Sequence, residues 1–246
     1  RSDVENVPIE RLQAFYQRFY QPDNAILILS GGFDSDRALV LIERHFGAID
    51  APTRSGAQRL WPSYTREPVQ DGERAITVRR SGENQLLMQA WHVPSALHPD
   101  YAPIVVLSHL LGDMPSGRLY EHLVETELAT QVASFSPALG EPSLLLTYSQ
   151  SPPTIDLADV EAATLSVVDD LLAEPPDEAA VQRAVNALLN GIEQTLNDSS
   201  RVGIQLSEWA AAGDWRLMFL HRDRIEGVRL DDVMRVARRY LTRDNR

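Results

Sequence analysis

The stretch that decides the fold is "VPIERLQAFYQRFYQPDNAILILSGGFDSD", residues 7–36. Its first part repeats apolar residues every three to four positions, which predicts an amphipathic helix over residues 8–20. A polar turn then leads into "AILILSG", a continuous apolar run typical of a strand covered on both faces. A second helical pattern follows over residues 35–46. Helix, strand and helix alone do not make a complete domain.

The turn "SGGFDSD", residues 30–36, has two interpretations. SGG-x-DS is the signature of an ATP-pyrophosphatase loop, in which backbone amides at a helix N-terminus hold phosphate. Alternatively, Gly31 and Gly32 end the strand sharply, and Asp34 or Ser35 caps the next helix. A nucleotide site would need further parallel strand–helix units. The chain continues with a linker and a hairpin pattern instead, which favours the capping interpretation.

The bulk composition argues against several classes of protein. A net charge of −12 disfavours nucleic-acid partners and docking on an anionic membrane. The absence of cysteine removes disulfides, thiolate metal sites and cysteine nucleophiles. The longest apolar runs fall far short of the roughly 20 residues of a membrane span. The chain opens Arg-Ser-Asp, without an initiator Met or a signal peptide, so we expect a piece of a longer polypeptide.

The rest of the chain is predicted to form a linker, followed by strands and then helices. Residues 51–74 are rich in proline and polar residues and predict a linker that lies on a surface through Leu60, Trp61 and Tyr64. "AITVRR" and "NQLLMQAWHV" predict a hairpin, and "LATQVASFSPA" and "PSLLLTYSQS" predict two more strands. Three aspartates are predicted to cap helices, namely Asp100, Asp156 and Asp177. The order predicts an α+β fold, an antiparallel sheet backed by helices.

One short sequence pattern occurs near both ends of the chain. "RRYLTRDNR", residues 238–246, repeats the pattern of "QRFYQPDNA", residues 17–25. Together with residues 7–36, "LIERHFGAID" and "SGRLYEHLVETELATQVASF", these motifs resemble the insulinase/pitrilysin family of zinc metallopeptidases. The resemblance covers nearly the whole chain and rests on the order and spacing of the motifs.

The resemblance implies a particular domain organisation. Residues 1–50 would be the C-terminal part of a first, catalytic-type domain, 51–74 a linker, and 75–246 a second, non-catalytic domain truncated before its last strand. That domain would have the fold of mitochondrial processing peptidase domains. If an edge is left unpaired there, the fragment would form a homodimer through it.

The resemblance also implies a function for the parent protein. The parent would be a zinc metalloendopeptidase that degrades peptides or unfolded polypeptides in an enclosed chamber. This chain would supply chamber wall and substrate contacts, and its partner would be the catalytic domain of the same or a companion chain. The family favours a bacterial periplasmic location. A catalytically dead structural subunit is an open alternative, since the discriminating zinc motif lies outside these residues.

Candidate site residues are few. None of the six histidines has the His-x-x-Glu-His spacing that binds zinc, and the nearest approaches are "HLVET" at 122–126 and "HLLGD" at 109–113. We therefore expect no catalytic residue and no metal in this chain. The family's substrate-holding Arg and Tyr correspond to Val124 and Gln131, which lack that chemistry. Arg118 and Tyr120 are left as candidate substrate-binding residues, with anchoring of their helix as the alternative role.

Overall fold

The computed structural model describes residues 5–55, 60 and 68–246. The chain divides into two compact units, Arg1–Pro68 and Val69–Arg246. The boundary between them lies inside the segment 51–74 that the sequence marks as a linker. Trp61 and Tyr64, two of the residues predicted to place the linker on a surface, lie outside the described residues.

The first unit contains two amphipathic helices, α1 (Ile9–Phe19) and α2 (Ser35–Phe46), with a 3-10 turn at Pro22–Asn24. The Asp34 carboxylate caps α2 by accepting the backbone N–H of Arg37 at 2.9 Å. Gly31 has a φ of +138°, a backbone conformation that favours glycine. Both observations agree with the capping interpretation of "SGGFDSD".

The strand predicted for "AILILSG" does not form among the described residues. Residues 25–30 carry no strand assignment, and Ile26, Leu27 and Leu29 are exposed. A strand satisfies its backbone N–H and C=O groups through a neighbouring strand. The described residues of the first unit provide no such neighbour, so the apolar run lacks a ladder partner.

The second unit is built on a three-stranded antiparallel sheet, which confirms the predicted α+β fold. Its strands are β1 (Gln85–Val93), β2 (Gln131–Phe135) and β3 (Ser143–Ser151). Their order is β1-β3-β2, so that β3 is central. In the register, Gln89 of β1 lies opposite Thr147 of β3, which in turn lies opposite Ser134 of β2.

The predicted hairpin between "AITVRR" and "NQLLMQAWHV" is wrong. Residues 75–80 carry no strand assignment, and Ile76 is 90% exposed. The second segment forms β1 and pairs with β3 over nine residues. An alternating pattern identifies a strand but not its partner, and pairing with β3 joins Trp91 to Leu145 in the buried core.

Six helices of the second unit follow the predicted order: α3 (Tyr101–Gly112), α4 (Leu157–Ala173), α5 (Glu178–Leu196), α6 (Ser199–Ala212), α7 (Leu217–Glu226) and α8 (Leu230–Tyr240). Asp156 accepts the N–H of Ala158, and Asp177 that of Ala180, so both predicted caps are confirmed. The motif that begins "SGRLYEHLV" contains a π-helical turn, Tyr120–Val124. Within the described part of the chain, no helix is both long and apolar enough to cross a membrane.

The hydrophobic core lies between one face of the sheet and the helices. Fully buried members come from the sheet, as Trp91, Val132 and Leu145 do, and from helices, as Ile104 and Val233 do. A smaller apolar cluster contains Ala96, Tyr101, Trp209 and Met218. Among the described residues, the helices therefore cover one side of the sheet and leave the other side partly exposed.

Asp100 starts α3, as predicted, but its side chain does not cap the helix. The buried carboxylate instead accepts hydrogen bonds from Arg235 at 2.6 Å, Arg239 at 3.2 Å and the hydroxyl of Tyr240 at 2.8 Å. Burial alone would raise the pKa of Asp100, but Tyr240 and Arg235 outweigh it and the pKa is lowered. The cluster joins the start of α3 to the end of α8, a contact between residues more than 130 positions apart.

Candidate functional site: the open face of the sheet

The two faces of the sheet differ in their burial. Along β3, fully buried and partly exposed residues alternate strictly from Ser143 to Ser151. β1 ends in the same alternation, with Gln89, Trp91 and Val93 buried. Since neighbouring side chains of a strand point to opposite faces, the buried set contacts the helices and the other set forms an open face.

The open face carries an apolar surface two rows deep. In the first row, Met88 of β1 lies opposite Tyr148 of β3, which lies opposite Ala133 of β2. In the second row, Leu146 of β3 stands between Ala90 and Phe135. Met88 is 53% exposed and Phe135 is 45% exposed. Exposed apolar side chains clustered in this way are typical of an interaction surface.

Both edges of this sheet lack a ladder partner among the described residues, because β1 and β2 each pair only with β3. An edge strand presents a row of backbone donors and acceptors that an extended peptide can join. The open face and its edges together can therefore contact an extended polypeptide through side chains and main chain.

Arg118 and Tyr120 lie beside the core rather than on the open face. The Arg118 guanidinium donates to the backbone oxygen of Glu174, just after the end of α4, at 2.8 Å. Tyr120 is partly buried and packs against the main core. Of the two positions that replace the family's substrate-holding pair, Val124 packs against the core, whereas Gln131 pairs with Gln150 at the start of β2.

The histidines that approach the zinc pattern make local contacts. The Nδ1 atom of His122 lies 2.9 Å from the backbone oxygen of Arg118. The Nδ1 atom of His109 lies 3.7 Å from a carboxylate oxygen of Asp113. Among the described residues, no group of three or more His, Asp or Glu side chains could hold a metal ion. These residues do not fit a zinc ion.

The open-face residues could have been found from the sequence by one signal. In "QLLMQAWHV" apolar side chains occupy both alternating sets, with Leu86 and Met88 in one and Leu87 and Trp91 in the other. A sheet that is apolar on both faces needs a cover on both faces, unless one of them binds something. The sequence does not say which face the helices cover, because that depends on the register and on long-range packing.

The chain is similar to a known protein family and to curated proteins of bacteria and fungi. The family model described as the peptidase M16 inactive domain matches residues 6–188. A zinc protease, PqqE, of Helicobacter pylori is 24% identical over 97% of this chain and 54% of its own length. The beta subunit of the mitochondrial-processing peptidase of Lentinula edodes is 25% identical over 98% of this chain and 53% of its own length. The chain therefore spans about half the length of these curated relatives.

Solved structures show the same similarity. The inactive peptidase domain of a protein assigned as a zinc protease from Bordetella parapertussis is 37% identical, with a TM-score of 0.62, and the match covers 69% of this chain and 93% of that one. A protease from Helicobacter pylori has a TM-score of 0.90 over 99% of this chain and 59% of that one. Because the protease from Helicobacter pylori is 23% identical to this chain, this similarity shows a shared fold and nothing further.

Proposed function

Since the chain belongs to the peptidase M16 family, through the domain described as inactive, we propose that it forms the non-catalytic wall of a peptide-degrading chamber. In this proposal the open face of the sheet lines the chamber and contacts the substrate. The substrate is a peptide or an unfolded polypeptide, bound in an extended conformation. Catalysis belongs to a zinc-bearing domain of the same or a companion chain.

The observation that carries this proposal is the uncovered apolar face on an otherwise well-packed sheet. Trp91 and Leu145 on the helix side are completely buried, while Met88 and Phe135 on the other side are about half exposed. Leaving large apolar side chains in water has a free-energy cost of about 25 cal/mol per Å². Bound substrate would cover this surface, which would explain why the protein keeps apolar side chains exposed there.

The domain organisation forms part of the same proposal. Residues 1–50 complete a catalytic-type domain, and residues 75–246 are the non-catalytic one. The exposed apolar faces of α1 and α2, which include Phe15, Tyr16 and Phe46, support this assignment because they resemble helix faces without the rest of their core. Zinc belongs to the parent protein, as the names of the relatives indicate, and Arg118 and Tyr120 stay candidates for substrate contact.

The direct test measures binding of a fluorescently labelled, permanently unfolded polypeptide to the purified chain. Met88→Asp places a charge on the edge strand β1, within the first apolar row of the open face, and should weaken binding at least about tenfold, as expected for an apolar contact replaced by a charge. The matched control is Ile204→Asp on α6, an equally drastic change of an exposed apolar residue on the helical side. Equal loss in both variants, or in neither, would contradict the proposed role of the open face.

A peptidase assay separates the wall from an independent enzyme. The purified chain should not cleave a quenched fluorescent peptide, with or without added zinc, and zinc-dependent turnover would overturn the proposal. Sequencing the parent upstream of Arg1 then distinguishes a wall beside a working zinc site from a dead structural subunit. The first case requires a His-x-x-Glu-His motif there, with a further Glu beyond it.

A further inference from the structure

A cavity of about 700 Å³ lies among the helices of the second unit and reaches the end of β2, where Phe135 of the open face is part of its lining. It is bounded by α3, α5, α6, α7 and the chain segment that follows β2. Its volume falls in the range of small-molecule sites, roughly 300–1,000 Å³. The proposed chamber role does not use this cavity.

The cavity has an aromatic wall. The imidazole of His221 stands between the rings of Tyr101 and Trp209, with 5.1 Å between ring centroids on either side. Tyr101, Trp209 and Met218 are nearly completely buried. Flat, rigid apolar walls of this kind favour a flat apolar ligand, because ring-to-ring contacts add to the free energy of burial.

One glycine lies at the opening of the cavity, inside a helix. Gly191 lies inside α5, where glycine is less favourable than alanine by about 1 kcal/mol. A Cβ atom at Gly191 would meet no other atom within 4 Å, so close packing does not explain the glycine. Gly191 is exposed and belongs to the lining of the cavity, so a larger side chain at this position would stand at the opening of the cavity.

Two hydroxyl groups in the wall lack partners. The Oγ atoms of Ser134 and Ser136 are shielded from solvent and have no hydrogen-bond partner within the described part of the chain. Buried polar groups in proteins are almost always paired. The hydroxyl of Tyr101 is already engaged, since it donates to the backbone oxygen of Ser136 at 2.8 Å. Rotation of either serine about χ1 would bring its hydroxyl into the cavity, where a ligand with one hydrogen-bonding group would supply the missing partner.

The charges around the cavity exclude an anion. No arginine is found among the described residues that line it, and the chain contains no lysine. Burial, and to a smaller extent the charge of Arg224, lowers the pKa of His221 to about 4, so this imidazole is neutral at pH 7. The exposed carboxylate of Glu208 adds negative charge to the lining. An uncharged ligand fits these surroundings.

We propose that this cavity binds an uncharged aromatic small molecule that carries one hydrogen-bonding group, such as a phenol. The ring packs against Trp209 and the His221 imidazole, and the polar group pairs with the hydroxyl of Ser134 or Ser136. Gly191 leaves the opening of the cavity clear.

The proposal is tested by calorimetric titration of the purified chain with p-cresol. We expect one saturable site with a Kd on the order of 0.1–1 mM, which is typical of a ligand of this size. Toluene, which has the ring without the hydroxyl, should bind about five- to tenfold more weakly. The anion p-toluate should show no saturable binding. No saturable binding of p-cresol, or p-toluate binding as tightly as p-cresol, would overturn the proposal.

Variants locate the site. Gly191→Leu should obstruct the opening of the cavity and weaken p-cresol binding at least about tenfold, whereas Gly191→Ala should leave the Kd within about twofold. Leucine and alanine are both good helix formers, so α5 should be retained in both. The double variant Ser134→Ala, Ser136→Ala removes only unpaired hydroxyls and should erase the preference for p-cresol over toluene. Binding unchanged in Gly191→Leu, or a preference unchanged in the serine variant, would place the ligand elsewhere.

A further titration distinguishes a free molecule from a side chain of a bound polypeptide. N-acetyl-tyrosine amide carries the same phenol on a peptide backbone. Weaker binding of this amide than of p-cresol supports a free small molecule. Tighter binding of the amide would overturn that assignment in favour of a peptide side chain.

Discussion

The contact between Asp100 and the end of α8 makes a quantitative prediction about stability. Asp100→Asn keeps the size of the side chain and removes its charge. The carboxylate receives hydrogen bonds from Arg235, Arg239 and Tyr240, and hydrogen bonds to charged groups contribute about 1.5–3 kcal/mol each. Arg235 and Arg239 are 47% and 60% exposed, so both guanidinium groups regain water when the charge is removed. We therefore expect a net loss of about 2 kcal/mol.

Urea unfolding monitored by tryptophan fluorescence measures this loss in the second unit. With a denaturant slope of about 2–3 kcal/mol per M, the midpoint should fall by somewhat less than about 1 M. The matched control is Asp231→Asn, an exposed acid in the first turn of α8, which should cost at most about 0.5 kcal/mol. If Asp100→Asn cost no more than Asp231→Asn, the cluster would not join α3 to α8.

The wild-type protein and the Asp100→Asn variant also allow a test of how stability depends on pH. The folded-state pKa of Asp100 is lowered, so its contribution to stability is present above the unfolded pKa of about 3.9 and is lost as the pH falls through the lower folded value. The stability difference between wild type and Asp100→Asn should be constant near neutrality and shrink below about pH 4. A difference that grows on acidification would refute the assigned direction of the pKa shift.

Three further predictions concern other contacts of the second unit. A Cβ at Gly112 would overlap the backbone of Ser134, so Gly112→Ala should lower the free energy of unfolding by about 1–3 kcal/mol in the same urea experiment; an unchanged midpoint would contradict the close approach of α3 to β2. The pKa of His221 is lowered to about 4, so stability should fall as the pH drops from about 6.5 to about 4, and His221→Gln should flatten this dependence. Arg118→Ala removes the hydrogen bond to Glu174 and should cost about 1 kcal/mol; a loss of polypeptide binding at unchanged stability would favour the substrate role instead.

Local signals in the sequence predicted most of the helices. Aspartate before an amphipathic stripe identified α2, α4 and α5 because the cap and the stripe both act within a few residues. The carboxylates of Asp34, Asp156 and Asp177 cap these helices in the structure. The same logic misread the side chain of Asp100, whose partners on α8 lie too far along the chain for any local pattern to indicate them.

Pairing and packing account for the other differences. The hairpin prediction assumed that neighbouring strands pair, whereas β1 takes a partner about sixty residues further on. The open face follows from that pairing, since only the register brings Met88, Tyr148 and Ala133 into one row. The cavity could not be predicted at all, because its walls come from four helices and the end of β2, and no single segment shows the space between them.

The sequence pattern that occurs at both ends of the chain also forms the same hydrogen bond at both ends. Asn24 donates its side-chain amide to the backbone oxygen of Phe19 at 2.9 Å, and Asn245 donates in the same way to Tyr240 at 2.8 Å. In each case a helix ends, a 3-10 turn follows, and the asparagine bonds the carbonyl five residues earlier. Asn245 also donates to the backbone oxygen of His92 in β1. The motif around Asn245 therefore connects the end of α8 to strand β1. A duplicated α+β domain would carry the same motif after its own last helix, and the motif around Asn24 follows α1 of the first unit in this way.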